Sequence, residues 1–414
     1  MNVEIVNTGS ELMLGRVLNT HQQFLCRRLA DLGHVVTRQV AIADTGSEIQ
    51  TAVREALSRA DLVITTGGLG PTSDDITREL IAELLGKKLV KNPAVLAHIE
   101  NFFTKRNRPR PAKTDVETLV PEGAEVFLNA TGTAPGLAMK ISNWKWLVML
   151  PGPPRELRPM FDTFVVPLLK REFADEIFIC RTLLTTGIGE SRVQEFVETD
   201  LQPLVTRGLG VGYCARPGAV DVRLTAGGAG AEKLVGEGEA VVQKILGANI
   251  FGFDDDEIEA VVIGLLRSRK KTLALAESCT GGLIANRITD VPGASEIFLG
   301  GVVSYANSAK EKFLGVRAET LQQHGAVSEA VALEMALGAR EKFGSDFAIS
   351  VTGIAGPTGG TPEKPVGTVF IALAAANGVE VKKILNVWDR ATFKQVTATQ
   401  ALEWLRRTLS GRCS

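Results

Sequence analysis

The sequence predicts an α/β protein: two α/β domains with mostly parallel or mixed sheets, joined by a small α+β module. Three observations predict it. Short β-branched runs alternate with stretches of 3.6-residue apolar period in the first and last parts of the chain, the pattern of βαβ units. The middle breaks that rhythm. Finally, 414 residues at 45% hydrophobic are more than one ordinary core organises.

In the first domain, residues 1–170, Val3 to Val6 reads as a strand and Thr20 to Leu32 as a helix with Phe24, Leu25, Leu29 and Leu32 inward. Val35 to Ile42 is the next strand, and Ser47 is placed to cap a helix running to Ala60. Leu62 to Thr66 is a short apolar strand, Asp74 to Leu85 a helix with Ile76, Leu80 and Leu84 on one face, and Leu147 to Leu150 a buried-type strand. The module, residues 175–251, reads strand, helix, two strands, helix, with Ala215-Arg216-Pro217-Gly218 as the turn between its antiparallel strands. The acidic run FDDDEIE then marks a helix start. The last domain, residues 255–414, runs strand Thr272 to Ala276, helix from Thr280, strand Gly301 to Tyr305, helix Ser328 to Phe343 and strand Phe347 to Thr352. Val366 to Leu373 and Val379 to Val387 follow as neighbouring strands joined at Ala376-Asn377-Gly378, and a helix runs to Leu409.

Composition narrows the partners. Forty-six basic and 47 acidic residues are spread along the chain for a net charge of −1, so no basic face stands out to attract nucleic acid. Five cysteines (Cys26, Cys180, Cys214, Cys279, Cys413) show no CxxC spacing, which argues against a disulfide framework or structural zinc and for a reducing compartment. The opening residues lack a secretory signal, and no apolar run reaches the roughly 18 residues of a membrane span. A soluble, cytoplasmic protein that handles small ligands is expected, without a membrane partner.

The strand LVITT runs into Gly67-Gly68-Leu69-Gly70-Pro71-Thr72-Ser73-Asp74-Asp75, a glycine-rich loop between a strand end and a helix start, where open α/β sheets bind ligands. Glycines let backbone approach a phosphate, and the helix N-terminus offers N–H groups. The loop lacks the Lys-Ser/Thr ending of a Walker motif, and Asp74 and Asp75 repel a bare phosphate unless a divalent cation lies between. Glu11 can complete an oxygen-rich metal site. The alternative is that Thr72 to Asp75 only caps a helix.

TGSELMLG, TTGGLGPTSDD, GTAPGLAM and MLPGPPREL together resemble the MoaB/MogA-like domain that opens CinA proteins. That resemblance implies metal-dependent hydrolysis of ADP-ribose to AMP and ribose 5-phosphate. It further implies a divalent metal (Mg, Mn or Co) on Asp74, Asp75 and Glu11, with Gly67, Gly68 and Gly70 facing the pyrophosphate. Related domains bind molybdopterin. One position departs from the family: Asn19-Thr20-His21 stands where many members read Asn-Thr-Asn.

The strongest signal is Ala276-Glu277-Ser278-Cys279-Thr280-Gly281-Gly282, where a strand ends, two glycines follow and a helix begins. Attack by the Ser278 hydroxyl would generate an oxyanion beside backbone N–H donors, expected from Gly281 and Gly282. A plain helix cap by Ser278 or Thr280 is the alternative. Of four histidines only His324 lies in this domain, at an expected helix end, so a Ser/His/Asp triad is not expected. Lys310 is left as base if burial lowers its pKa; otherwise it is an ordinary exposed helix lysine. Cys279 is the rival nucleophile. A third glycine-rich loop, Val351 to Gly360, is able to wrap a phosphate with backbone donors or to be a flexible connection.

AESCTGG, GGVVSYANSAK, HGAVSEAVALEMALGAR, TGIAGPTGG and EKPVGTV resemble the CinA C-terminal domain, nicotinamide mononucleotide deamidase, which yields nicotinic acid mononucleotide and ammonia. The resemblance implies Ser278 as nucleophile, Lys310 as base and Tyr305 and Thr352 as supporting partners. Thr280, Gly281, Gly282, Gly353 and Arg390 would contact substrate, with Arg390 on the phosphate and no cofactor. The middle is similar to the KH-like module of CinA, without an evident glycine-x-x-glycine clamp for RNA. Nicotinamide mononucleotide and ADP-ribose are the expected ligands, in a homodimer. Two alternatives stay open: the N-terminal pyrophosphatase as main activity, and a non-enzymatic DNA-uptake or recombination role, which the balanced charge disfavours.

Overall fold

The computed structural model describes residues 1–173 and 177–411. The expected module boundary at Asp175, the expected end of the last domain at Ser414, and Cys413 lie outside the described residues. The chain forms two compact units, Met1–Cys180 with Gly227–Ala231, and Arg181–Ala226 with the chain from Glu232 onward.

The first unit contains β1 (Asn2–Thr8), α1 (Thr20–Asp31), β2 (Val35–Ile42), α2 (Gly46–Arg59), β3 (Leu62–Thr66), α3 (Thr77–Leu84), α4 (Pro93–Thr104), β4 (Glu125–Phe127), β5 (Gly136–Ser142) and β6 (Lys145–Leu150). The sheet order is β2-β1-β3-β6-β5-β4, parallel from β2 to β6 and antiparallel beyond. Alternate residues of each strand feed different cores. Ile5, Leu62 and Ile64 pack with Leu25 and Leu29 of α1, whereas Val6 and Val63 pack with Ile49 and Val53 of α2. Helices on both faces explain why LVITT is apolar without alternation. The helix expected from Asp74 starts at Thr77, because Asp74 and Asp75 fold back onto Thr72.

Next along the chain come β7 (Phe178–Thr186), α5 (Glu190–Thr206), β8 (Gly210–Arg216), β9 (Ala219–Gly227), α6 (Ala231–Leu246) and β10 (Ile250–Phe253), whose strands make a four-stranded sheet, order β8-β9-β7-β10. Arg216 pairs with Ala219, so Pro217-Gly218 is a two-residue hairpin turn, and Gly218 supplies φ +79 there. Next come α7 (Ile258–Ser268), β11 (Leu273–Glu277), α8 (Leu283–Thr289), β12 (Phe298–Val303), α9 (Asn307–Leu314), α10 (Ala318–His324), α11 (Glu329–Phe343), β13 (Phe347–Gly353), β14 (Thr368–Ala375), β15 (Gly378–Leu385) and α12 (Arg390–Leu409). Their sheet runs β12-β11-β13-β14-β15, with β12, β11 and β13 parallel and the last hairpin antiparallel.

Leu273, Leu275, Ile349 and Val351 point into a large core shared with α7 and α12, and Leu184 and Phe251 of the module belong to that same core. Each such side chain contributes about 1.5–3 kcal/mol on full burial, so module and last domain pack as one body. On the other sheet face Ala274, Ala276, Ala348, Ala372 and Ala374 are small, which lets α11 approach closely. The chain leaves β11 to β12 on one side and returns to β13 on the other. The carboxyl end of β11 is therefore a topological switch point, the place where such sheets open a crevice.

Candidate active sites

Ser278 is the first residue beyond β11, at that switch point. Its N–H donates to the Val351 carbonyl (3.0 Å) and its carbonyl accepts from Gly281 N–H (3.1 Å), which closes a turn. Lys310, in the first turn of α9, is 1% exposed and reaches back beneath this turn. Its Nζ lies 3.1 Å from Ser278 Oγ and donates to the Ser304 carbonyl at 2.6 Å. Burial lowers the Lys310 pKa from the ordinary lysine value. Carbonyl oxygens surround the amine where a structural lysine would hold a carboxylate.

Cys279 packs into the apolar core, and burial pushes its thiol up to about 12. Such a thiol holds its proton at neutral pH, which removes the reactivity that made it a rival.

Two expectations need correction. Gly281 and Gly282 do not present free N–H groups: the first donates to Ser278 O, and the second to Glu277 Oε2 at 3.0 Å. The buried Glu277 carboxylate also accepts from Ile284 (3.1 Å) and Ala285 (2.8 Å). Glu277 thereby caps α8, so this helix starts at Leu283 and not at Thr280. The N–H groups of Cys279 and Thr280 have no backbone acceptor in the turn, and both face the Cys279 sulfur. The Thr280 hydroxyl is fully buried without a partner, as is that of Ser304.

Thr352 is the second correction. Its hydroxyl donates to the Ala326 carbonyl (2.7 Å), which ties β13 to the segment before α11 and leaves no proton for the serine. Gly353 is required by space: a Cβ there would lie 2.8 Å from the Thr368 carbonyl. Tyr305 is 63% exposed, and its hydroxyl accepts from Arg390 Nη2 at 2.7 Å. Arg390 Nη1 donates to Gly356 O at 2.9 Å, so this arginine links Tyr305 to the glycine-rich loop. His324 ends α10, exposed as expected of a helix-end residue.

In the first unit a cavity of about 330 Å³ opens at the carboxyl ends of β1, β3 and β6, between Thr8-Gly9, Gly67 to Pro71 and Gly152-Pro153. Glu11, Asp44, Asp74, Asp75, Glu117 and Glu156 line it. Gly67 has φ +99, and a Cβ there would sit 2.7 Å from the Thr8 carbonyl; one on Gly70 would sit 2.6 Å from Asp75 Oδ2. These glycines, with Gly68 against Thr77, fold the loop down on the strand ends. Thr72 N–H donates to Asp75 (2.9 Å), and its hydroxyl lies between Asp74 and Asp75. That hydroxyl holds the Asp74 pKa below the usual carboxylate value. Asp74, Asp75 and Glu11 share the cavity, although among the described residues no three His, Cys, Asp or Glu side chains are grouped closely enough to hold a metal ion. His21 faces the backbone of Gly152, a lining residue.

Residues 255–409 match the family model "CinA C-terminal domain", residues 4–171 "Probable molybdopterin binding domain" and residues 180–252 "Damage-inducible protein CinA KH domain". A competence-damage inducible protein of Thermoanaerobacter pseudethanolicus is 43% identical over 417 residues, 99% of each chain. The chain belongs to the CinA family. A CinA-like protein of Akkermansia muciniphila is 44% identical, over 98% of this chain and 97% of its own. A crystal structure of the competence/damage inducible protein CihA from Agrobacterium tumefaciens is 42% identical over 37% of this chain and 93% of that one, with a TM-score of 0.36.

In this CinA chain three groups escaped sequence reasoning. Glu277 stands inside the quoted AESCTGG motif, but nothing in that string shows its carboxylate turning back on the helix. Glu117 is fully buried in the N-terminal cavity, and burial raises its carboxyl to about 7. It lies in no motif, in a 3₁₀ turn (Ala112–Thr118) that periodicity does not reveal. Lys394 was readable only from its spacing, four residues after Arg390 on the same helix.

Proposed function

We propose that the Ser278–Lys310 pair is an amidohydrolase centre that hydrolyses the carboxamide of nicotinamide mononucleotide to nicotinic acid mononucleotide and ammonia. The observation that carries this reading is the 3.1 Å approach of a fully buried lysine amine, caged by carbonyls, to a serine hydroxyl at a sheet switch point. In its neutral form Lys310 takes the Ser278 proton as Oγ attacks the carboxamide carbon. The N–H groups of Cys279 and Thr280 hold the resulting oxyanion. Protonated Lys310 then delivers its proton to the departing nitrogen, ammonia leaves, and the serine ester remains. Water, losing a proton to the same amine, attacks the ester; the amine passes that proton to Ser278 Oγ as the acid leaves.

The test is product identification with nicotinamide mononucleotide and a chelator present. Nicotinic acid mononucleotide and ammonia in equal amounts are expected. Nicotinamide with ribose 5-phosphate, the products of glycosidic cleavage, would overturn the reading.

The acidic cavity of the first unit favours a second activity, metal-dependent cleavage of ADP-ribose. Its carboxylates are the kind of oxygen donor that a hard divalent cation such as Mg, Mn or Co takes, although among the described residues no three of them are grouped closely enough to hold one as they stand. Asp74, Asp75 and Glu11 would have to draw together to hold the ion, which would neutralise pyrophosphate charge. Gly67, Gly68 and Gly70 provide the close backbone approach, and Glu117 is able to exchange a proton near neutrality.

A further inference from the structure

α12 begins with two cations. Arg390 and Lys394 are four residues apart, one turn, so their side chains leave the same helix face. Cations are disfavoured at the positive end of a helix, and the one carboxylate next to them on this helix is held by the cap. Asp389 spends one carboxylate oxygen on the N–H groups of Ala391 and Thr392 and the other on the Thr392 hydroxyl. At the opposite end of the same helix Arg406 and Arg407 both pair with Glu403. The two N-terminal cations also differ from each other. The Arg390 guanidinium is engaged with Gly356 O and Tyr305 Oη, whereas Lys394 has no hydrogen bond or ion pair among the described residues.

Lys394 is aimed at the serine turn. A Cβ built on Gly281 would lie 3.6 Å from its Nζ, the nearest group on that side. Gly281 and Ser278 are the two ends of one hydrogen-bonded turn, so their α-carbons are within about 7 Å. An uncommitted ammonium thus stands beside the turn that carries the nucleophile. The same turn holds the buried hydroxyl of Thr280, which has no hydrogen-bond partner.

We propose that Lys394 is a specificity-determining residue: it reads a dianionic phosphate and restricts the site to carboxamides carried on a nucleoside 5′-monophosphate. Arg390 orients Tyr305 and the glycine-rich loop beside it. This rests on the amidohydrolase reading of Ser278 and Lys310.

The experiment compares nicotinamide mononucleotide with nicotinamide riboside, the same carboxamide without phosphate, in the full chain, Lys394→Gln and Lys394→Arg. A charge-assisted phosphate contact predicts that Lys394→Gln raises KM for the mononucleotide about 10- to 100-fold, leaves its kcat within about threefold and leaves kcat/KM for the riboside unchanged. Lys394→Arg restores most of the loss. An unchanged mononucleotide KM, or an equal loss on both substrates, overturns the proposal. If the unmodified chain releases ammonia from neither compound, the amidohydrolase reading falls, and calorimetry with the two ligands decides the phosphate contact separately. Selective weakening of the mononucleotide in Lys394→Gln upholds that contact, and equal affinity in both chains overturns it.

Discussion

Ser278 by itself is an ordinary hydroxyl; what distinguishes it is a lysine that has lost its usual surroundings. Burial without a carboxylate partner disfavours the ammonium, so the folded pKa of Lys310 lies below its unfolded value. The folded chain therefore binds fewer protons than the unfolded one in the interval between those two values, and stability rises with pH across it. Below that interval the buried ammonium is a net cost. Lys310→Met should raise Tm at pH 7 in calorimetry while it lowers kcat for ammonia release about 10²- to 10⁴-fold. A variant that loses both activity and stability would mark Lys310 as a structural residue. The pH–rate profile of the unmodified chain gives the same sign. With the free amine as the active form, as proposed, kcat/KM should climb with pH and level off below about 10.4, the value for a free lysine. A profile still rising at that pH contradicts a depressed amine.

At the level of elements, the pair depends on how closely α9 is held. Gly338 of α11 packs against the carbonyl of Leu314, the last residue of α9, and a Cβ at 338 would fall on that oxygen. Gly338→Ala should cost about 1–3 kcal/mol in urea unfolding and lower kcat by displacing the helix that carries Lys310. Unchanged stability would show that the helices separate freely there. Most elements were legible in the sequence because period and punctuation agree: Leu62–Thr66, Val35–Ile42 and Ala231–Leu246 form where apolar spacing predicts them. The failures share a physical cause, side chains bonding to their own backbone. Glu277 delays α8, and Thr72 with its aspartates delays α3. The strand expected at Gly301 to Tyr305 instead spans Phe298–Val303, because Ser304 and Tyr305 turn away to offer their carbonyls to Lys310. The motif strings were enough to nominate Ser278 and Lys310. They could not show which N–H groups of the turn lack a backbone acceptor, since that is decided by a carboxylate folding back through space.

For the whole molecule, the chain places two groupings of opposite chemistry at the carboxyl ends of strands: a cavity walled with carboxylates, and a buried pair of an amine and a hydroxyl. Composition could not foretell this, because the balanced net charge hides the separation. The joining of the module to the last domain was also illegible. Leu184 and Phe251 look like any apolar residues until the core they share with α7 and α12 is built. If the chemistry is divided as proposed, a chelator should abolish AMP formation from ADP-ribose and leave ammonia release from nicotinamide mononucleotide within about twofold. Loss of both together would mean a shared requirement for metal.

The most direct test asks which of two adjacent atoms attacks. Ammonia released from nicotinamide mononucleotide is measured for Ser278→Ala and Cys279→Ala side by side. Cys279→Ala is expected to keep activity within about tenfold, and Ser278→Ala to lose on the order of 10⁵-fold, the scale on which a removed nucleophile acts. Activity surviving in Ser278→Ala and vanishing in Cys279→Ala would contradict a serine activated by a buried lysine.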